Sequence, residues 1–181
     1  MLLGATLLAA PVSAEVLTGE DPETGLRSWT WSHAGTSVQL LQLLPDQIRA
    51  FFLARGFEGE EVERIARACV FQTIFRNDGD RPVEYDLEDW SLLNRGERRP
   101  LRTRERWDAE WQTHPIDEPA RIALRWALLP TVQGFEPGDY NWGMTSFGLP
   151  PGEPLDLRIV VRIAGEQITA QIPSVVCAAD R

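Results

Sequence analysis

Carboxylates beside tryptophan are the first chemistry the chain offers. Asp86, Glu88, Asp89 and Trp90 form one acidic–aromatic cluster, and Asp108, Glu110 and Trp111 form another. Such pairs serve glycoside hydrolysis, where one carboxyl is the acid and the other the nucleophile or base. On an alternating strand, however, Asp86 and Glu88 share the solvent side, where solubility alone places acids. A nucleophilic triad needs a Ser or Cys beside a His and an orienting acid. The chain has two histidines, His33 and His114, and no G-x-S-x-G elbow. All 18 basic residues are Arg. The absence of Lys removes Schiff-base chemistry, covalent pyridoxal attachment and a P-loop phosphate cradle. No cofactor motif is present; as an alternative, the two histidines with Met144 make a ligand set suited to copper. The balance favours binding over catalysis.

Several arginines and aromatics are candidates for contact instead. Arg95, Arg98, Arg99, Arg102, Arg104 and Arg106 crowd into twelve residues with Glu97 and Glu105 between them. They could meet an anionic partner, with Arg98 and Arg99 at the centre, or form cross-strand ion pairs with the acids of 84–89. Seven Trp are more than a small core needs at its centre. Trp126 is in phase with Ile122 and Leu124, and Trp142 with Tyr140 and Met144, so these read as core. Trp107 and Trp111 lie in a polar stretch and read as the exposed pair, able to contact a protein or stack on a sugar. Adjacent Phe51 and Phe52 cannot both fill one narrow helical seam, which makes them interaction candidates too.

The elements that position these residues are mostly strands. Leu155, Leu157, Ile159, Val161 and Ile163 alternate with polar residues; a Gly-containing break follows, and Ile168, Ala170 and Ile172 resume the alternation. That is a β-hairpin with one buried face, which Pro173 should end. Runs at 26–31 and 36–44 flank Ala34 and Gly35 as another hairpin. Segments 69–76, 83–90, 120–128 and 140–147 also read as strands. About seven or eight short strands predict an all-β antiparallel sandwich. Segment 45–68 breaks the pattern. Pro45 and Asp46 open one helix, Gly56 stops it, and Val62, Ile65, Ala66 and Cys69 recur at helical spacing. It reads as a helical hairpin inserted between two strands.

The run GDYNW at 138–142 resembles the tyrosine corner of immunoglobulin-like domains, with Tyr140 as the corner residue and Trp142 where that family has its second Cys. The resemblance implies an immunoglobulin-like sandwich and carries no activity with it.

The compartment is read from the N-terminus. Residues 1–14, MLLGATLLAAPVSA, are uncharged, apolar and end in a small-residue pattern, as in a signal peptide, which leaves 15–181 as one domain. Export favours a disulfide between Cys69 and Cys177, the only cysteines. No stretch is long enough to span a membrane as a helix. A net charge of −9 argues against nucleic acid. The sequence therefore points to a periplasmic or secreted accessory module that binds another cell-envelope protein. A copper-handling protein and a carbohydrate-binding or glycan-active protein are the alternatives.

Overall fold

The computed structural model describes residues 15–180, so the signal-peptide reading of 1–14 lies outside the described residues. In chain order the elements are β1 (Glu15–Glu20), β2 (Arg27–His33), β3 (Thr36–Gln42), α1 (Pro45–Leu53), α2 (Gly59–Ala66), β4 (Val70–Asn77), β5 (Val83–Asp86), β6 (Ser91–Asn94) and β7 (Glu97–Pro100). There follow α3 (Arg104–Thr113), α4 (Glu118–Ala127), β8 (Val132–Phe135), β9 (Tyr140–Ser146), β10 (Pro154–Ile163) and β11 (Glu166–Val176). The protein is mostly β, with two antiparallel sheets and four short helices. One sheet runs β1-β2-β3-β4-β9. The other runs β7-β6-β10-β5-β8, with β11 on the opposite side of β10. Short β5 and β6 pair with successive stretches of β10, separated by a 3₁₀ turn at Leu87–Asp89.

Alternation dictates the layers. In β4, Phe71, Thr73 and Phe75 are buried while Gln72, Ile74 and Arg76 lie on the other face. Trp29, Trp31, Phe71, Phe75, Tyr85 and Leu157 fill the space between the sheets. Trp90 satisfies its indole N–H there by donating to the Val160 carbonyl at 2.8 Å. The helices build a second core from Ile48, Phe52, Phe57, Ile65, Trp107, Trp111 and Leu124. Val70 joins this cluster and Met144 packs against it, so the helices cover the outer face of the first sheet at its Val70 end.

Several sequence expectations change. Eleven strands form among the described residues, not seven or eight. Segment 120–128 is not a strand: α4 occupies it. Ala is a strong helix former, and Asp117, Glu118 and Pro119 supply a helix start. β11 continues past Pro173 because the β10–β11 register shifts between Leu155 and Leu157. At that irregularity Asp156 accepts the Ser174 N–H at 2.8 Å. Strands β1 to β4 are sequential neighbours within one sheet, with the helical hairpin inserted between β3 and β4. The immunoglobulin order divides A, B, E and D from C, F and G instead. Tyr140 makes no corner; it is exposed, with the Arg76 guanidinium 5.0 Å from its ring centre.

The expected cysteine pair is bonded. Cys69 immediately precedes β4 and Cys177 immediately follows β11, so the bridge joins the two sheets, with the Cα atoms 5.2 Å apart. It spans 108 residues of sequence. The chain-entropy account gives a loop of that length about 4–5 kcal/mol. Just beyond it, Asp180 accepts from Arg49 of α1 at 2.7 and 2.8 Å. The same guanidinium donates to Glu63 of α2 and to Asp46. The helical hairpin is thereby clamped to the C-terminal segment. Among the described residues no helix is long and apolar enough to cross a membrane.

Candidate functional site: an aromatic groove between two helices and a sheet

Two helices and two strands line a groove of about 530 Å³ on the outer face of the first sheet. That volume lies within the range of small-ligand and peptide-anchor sites. Its floor is β4 and β9, where Gln72 pairs with Met144. One wall is the end of α1, and the other is the end of α4.

The wall on α1 follows from helical geometry. Pro45 fixes the first turn, and the Gln47 side chain accepts the Leu44 N–H at 2.9 Å. Phe52 turns into the second core and is fully buried. Phe51, about 100° away around the helix, comes out at the groove rim. Arg55 lies one turn on, its guanidinium 3.4 Å from the Phe51 ring centre. Its Nη1 donates to the Phe51 carbonyl at 2.7 Å, a last-turn carbonyl of the helix, which fixes the side chain.

On α4, Ala120 and Leu124 bury the inner face. Ile122 and Trp126, four residues apart, share the opposite face and are exposed. Trp126 is 83% exposed. Trp142 of β9, opposite Ile74, is 63% exposed. Gly143 lets the end of α4 approach β9. A Cβ there would lie 2.9 Å from the Leu129 backbone nitrogen and 3.2 Å from the Ala127 carbonyl oxygen. Leu129 N–H donates to the Met144 carbonyl at 2.9 Å. This close passage brings Trp126 and Trp142 into the same groove lining. Asn141 steadies the strand by donating to Gln133 at 2.7 Å and accepting the Trp142 N–H at 2.8 Å. Arg55 is the sole charged residue of the lining.

Of the contact candidates from sequence, Phe51 alone reaches this groove. Trp107 and Trp111 are corrected from exposed to buried, at 1% and 4% exposure, stacked 5.5 Å apart inside the second core. Between them Ala109 faces solvent, while Asp108 and Glu110 are half-buried in ion pairs with Arg125 and Arg102. Arg98 and Arg99 sit on the edge strand β7. Arg98 donates to Ser91 and Arg99 pairs with Glu97. The expected pairing of the Arg run with the acids of 84–89 occurs once, between Arg106 and Glu88 at 2.8 Å.

The structure does not assemble the copper set. His33 pairs with Thr36, which pairs with Asn77, whereas Met144 pairs with Gln72. Five residues along β4 is roughly 17 Å, and three strand spacings add roughly 14 Å sideways. His114 is exposed at the end of α3, with Nδ1 3.0 Å from the Thr113 hydroxyl. Among the described residues no three or more His, Cys, Asp or Glu are grouped to hold a metal.

The acidic–aromatic clusters do structural work. Asp86 caps the 3₁₀ turn by accepting the Glu88 N–H at 2.9 Å. Burial pushes the Glu88 carboxyl up, but bonds from Arg106 and Thr103 hold it below the ordinary range. Asp89 pairs with Arg162, Asp108 with Arg125 and Glu110 with Arg102.

Comparisons with protein-family models, curated proteins and solved structures find no match for this chain. Sequence reasoning missed Trp126, Trp142 and Arg55 as site residues. The helix-start signal at 117–119 would have moved Trp126 out of the core, because it rejects the strand reading on which that placement rested.

Proposed function

We propose that this protein is a non-catalytic binding module of the cell envelope acting through protein contacts, with the groove as its contact surface. One observation carries the reading: Trp126 and Trp142, the two most exposed tryptophans, flank one concavity on a braced scaffold. Tryptophan, tyrosine and arginine dominate the energetics of protein interfaces, and a rigid indole gives contact area at small entropic cost. A large apolar ring left in water is otherwise a liability for solubility. The Cys69–Cys177 bridge suits an oxidising compartment outside the cytoplasm.

The test uses the folded, disulfide-closed protein and a displayed library of random twelve-residue peptides. Selection should enrich peptides whose affinity falls at least tenfold in Trp126→Ala and in Trp142→Ala. A panel of soluble oligosaccharides is titrated in parallel by tryptophan fluorescence. Sugar binding that needs both indoles, with no peptide enriched, would replace the protein-contact reading with a carbohydrate-binding one. Enriched peptides indifferent to both substitutions would overturn the groove as the contact surface.

A further inference from the structure

We infer that the partner segment seated in this groove is an extended peptide carrying a carboxylate beside an apolar or aromatic side chain, with Arg55 as its anion anchor. The inference rests on the protein-contact reading and adds the chemistry of the occupant. The chain carries 27 acidic residues against 18 basic ones. Against that excess, among the described residues no Asp or Glu lines the groove, and its single formal charge is the Arg55 cation. Most arginines with ordered partners are engaged by acids: Arg49, Arg64, Arg95, Arg102, Arg106 and Arg162 each lie in an ion pair. Arg55 makes none among the described residues. Its guanidinium is held over the Phe51 ring and donates once, to the Phe51 carbonyl, which leaves its other N–H donors available. A stacked, pre-oriented fork of this kind matches a carboxylate with two parallel hydrogen bonds and loses little entropy on binding it.

A second cation reinforces the first. Arg76 lies on the same outer face of the sheet, in register with Tyr140 and two residues from Ile74, the partner of Trp142. It too makes no ion pair among the described residues, and its guanidinium rests over the Tyr140 ring. A ligand lying along β9 therefore meets indole surface flanked by two free positive charges. Charge complementarity of this kind selects partners and speeds encounter.

The experiment starts from the same displayed library of random twelve-residue peptides. The enriched peptides should carry Asp or Glu well in excess of Lys and Arg, next to an aromatic or aliphatic residue. The best peptide should lose at least tenfold in affinity when its acid is replaced by the amide. Arg55→Gln should cause a similar loss, and combining the two changes should add little further. Arg55→Lys should keep part of the affinity, and raising the salt concentration should weaken binding. Thermal unfolding of each variant should match the parent, since Arg55 is exposed. Neutral or basic peptides that still need Trp126 and Trp142 would overturn this inference and leave the docking reading standing. A library that enriches nothing would remove both.

Discussion

Two pairs of tryptophans in this protein have opposite fates for one physical reason. Trp107 and Trp111 stand in a stretch of Arg, Glu, Asp and Gln, yet they are buried. Trp126 stands in a largely apolar run of Ile, Ala and Leu, and Trp142 two residues from Tyr140 and from Met144, yet both face water. Neighbours in sequence are not neighbours in space. On α3 a spacing of four puts Trp107 and Trp111 on one inward stripe, while Arg106 and Gln112 beside them turn outward. On α4 the same spacing aligns Trp126 with Ile122 and places Leu124 on the opposite side. Burial follows from which face meets the second core, and local polarity carries little of that information. The buried pair holds the helices together; the exposed pair stacks on no other aromatic ring among the described residues.

The largest effect that would break this comparison is on stability. Trp107→Ala or Trp111→Ala removes a large stacked ring from the second core and should cost about 3–5 kcal/mol in denaturant unfolding. Both indole N–H groups are buried without an acceptor among the described residues, so Trp→Phe should cost clearly less. Equal losses for Ala and Phe would mean that the rings are not packed as described.

Next in size is Gly143→Ala. The new methyl would meet backbone, not a flexible side-chain end. Overpacking of that kind costs about 1–3 kcal/mol and should push the end of α4 away from β9. Trp126 and Trp142 should then move apart, readable as a changed near-ultraviolet dichroism. An unchanged spectrum would show that Gly143 does not set their approach.

Glu110→Gln comes third. Glu110 pairs with Arg102, whose guanidinium lies 4.0 Å from the Trp107 ring centre. Removing the charge leaves a part-buried cation with a weaker partner, for a loss of about 1–2 kcal/mol. Destabilisation by more than the Trp107→Ala change would reverse the order of importance assigned to ring and charge.

The clamp on α1 gives a smaller, pH-dependent effect. Bonds from Arg49 hold the Glu63 and Asp180 carboxyls below their ordinary range, against the opposing effect of burial. A carboxyl depressed in the folded state contributes stability above its unfolded pKa. That contribution is lost as pH falls through the folded value. Stability should therefore drop as the solution is acidified below about pH 4. Arg49→Ala should flatten that part of the profile. Parallel profiles for the two proteins would show that Arg49 does not hold these groups.

Much of this was legible in the sequence, for reasons that can be named. The 155–172 hairpin, the 27–42 hairpin and the helical insertion were readable because each combines an unbroken period with a turn or stop residue of fixed chemistry. The disulfide was readable because two cysteines permit one pairing. Strand β8 was not, because Val132, Gln133 and Gly134 lack alternation and border a turn. Helix α4 was misread because Ala120, Ile122, Leu124, Trp126 and Leu128 alternate. The same segment also satisfies a helix through Ala120, Leu124 and Leu128. When two periods fit one segment, the boundary residues decide, and here Asp117, Glu118 and Pro119 decide for helix. The groove was illegible for a further reason. Its lining joins α1, α4 and β9, residues some ninety positions apart in the chain, and no local pattern specifies that meeting.

The smallest effect tests the exposed pair. Trp126→Ala and Trp142→Ala remove rings that bury little, so each should change stability by less than about 1 kcal/mol. The two substitutions combined should remove most of the fluorescence that acrylamide quenches easily, since the five remaining tryptophans are buried within the cores. A variant that is as stable as its parent yet loses the accessible emission separates surface rings from core rings in one preparation. Because that variant keeps its fold, any binding it loses is attributable to the ring itself. A stability loss as large as that of Trp107→Ala would instead mean that Trp126 is seated in a core, and the groove would then have no aromatic rim to offer a partner.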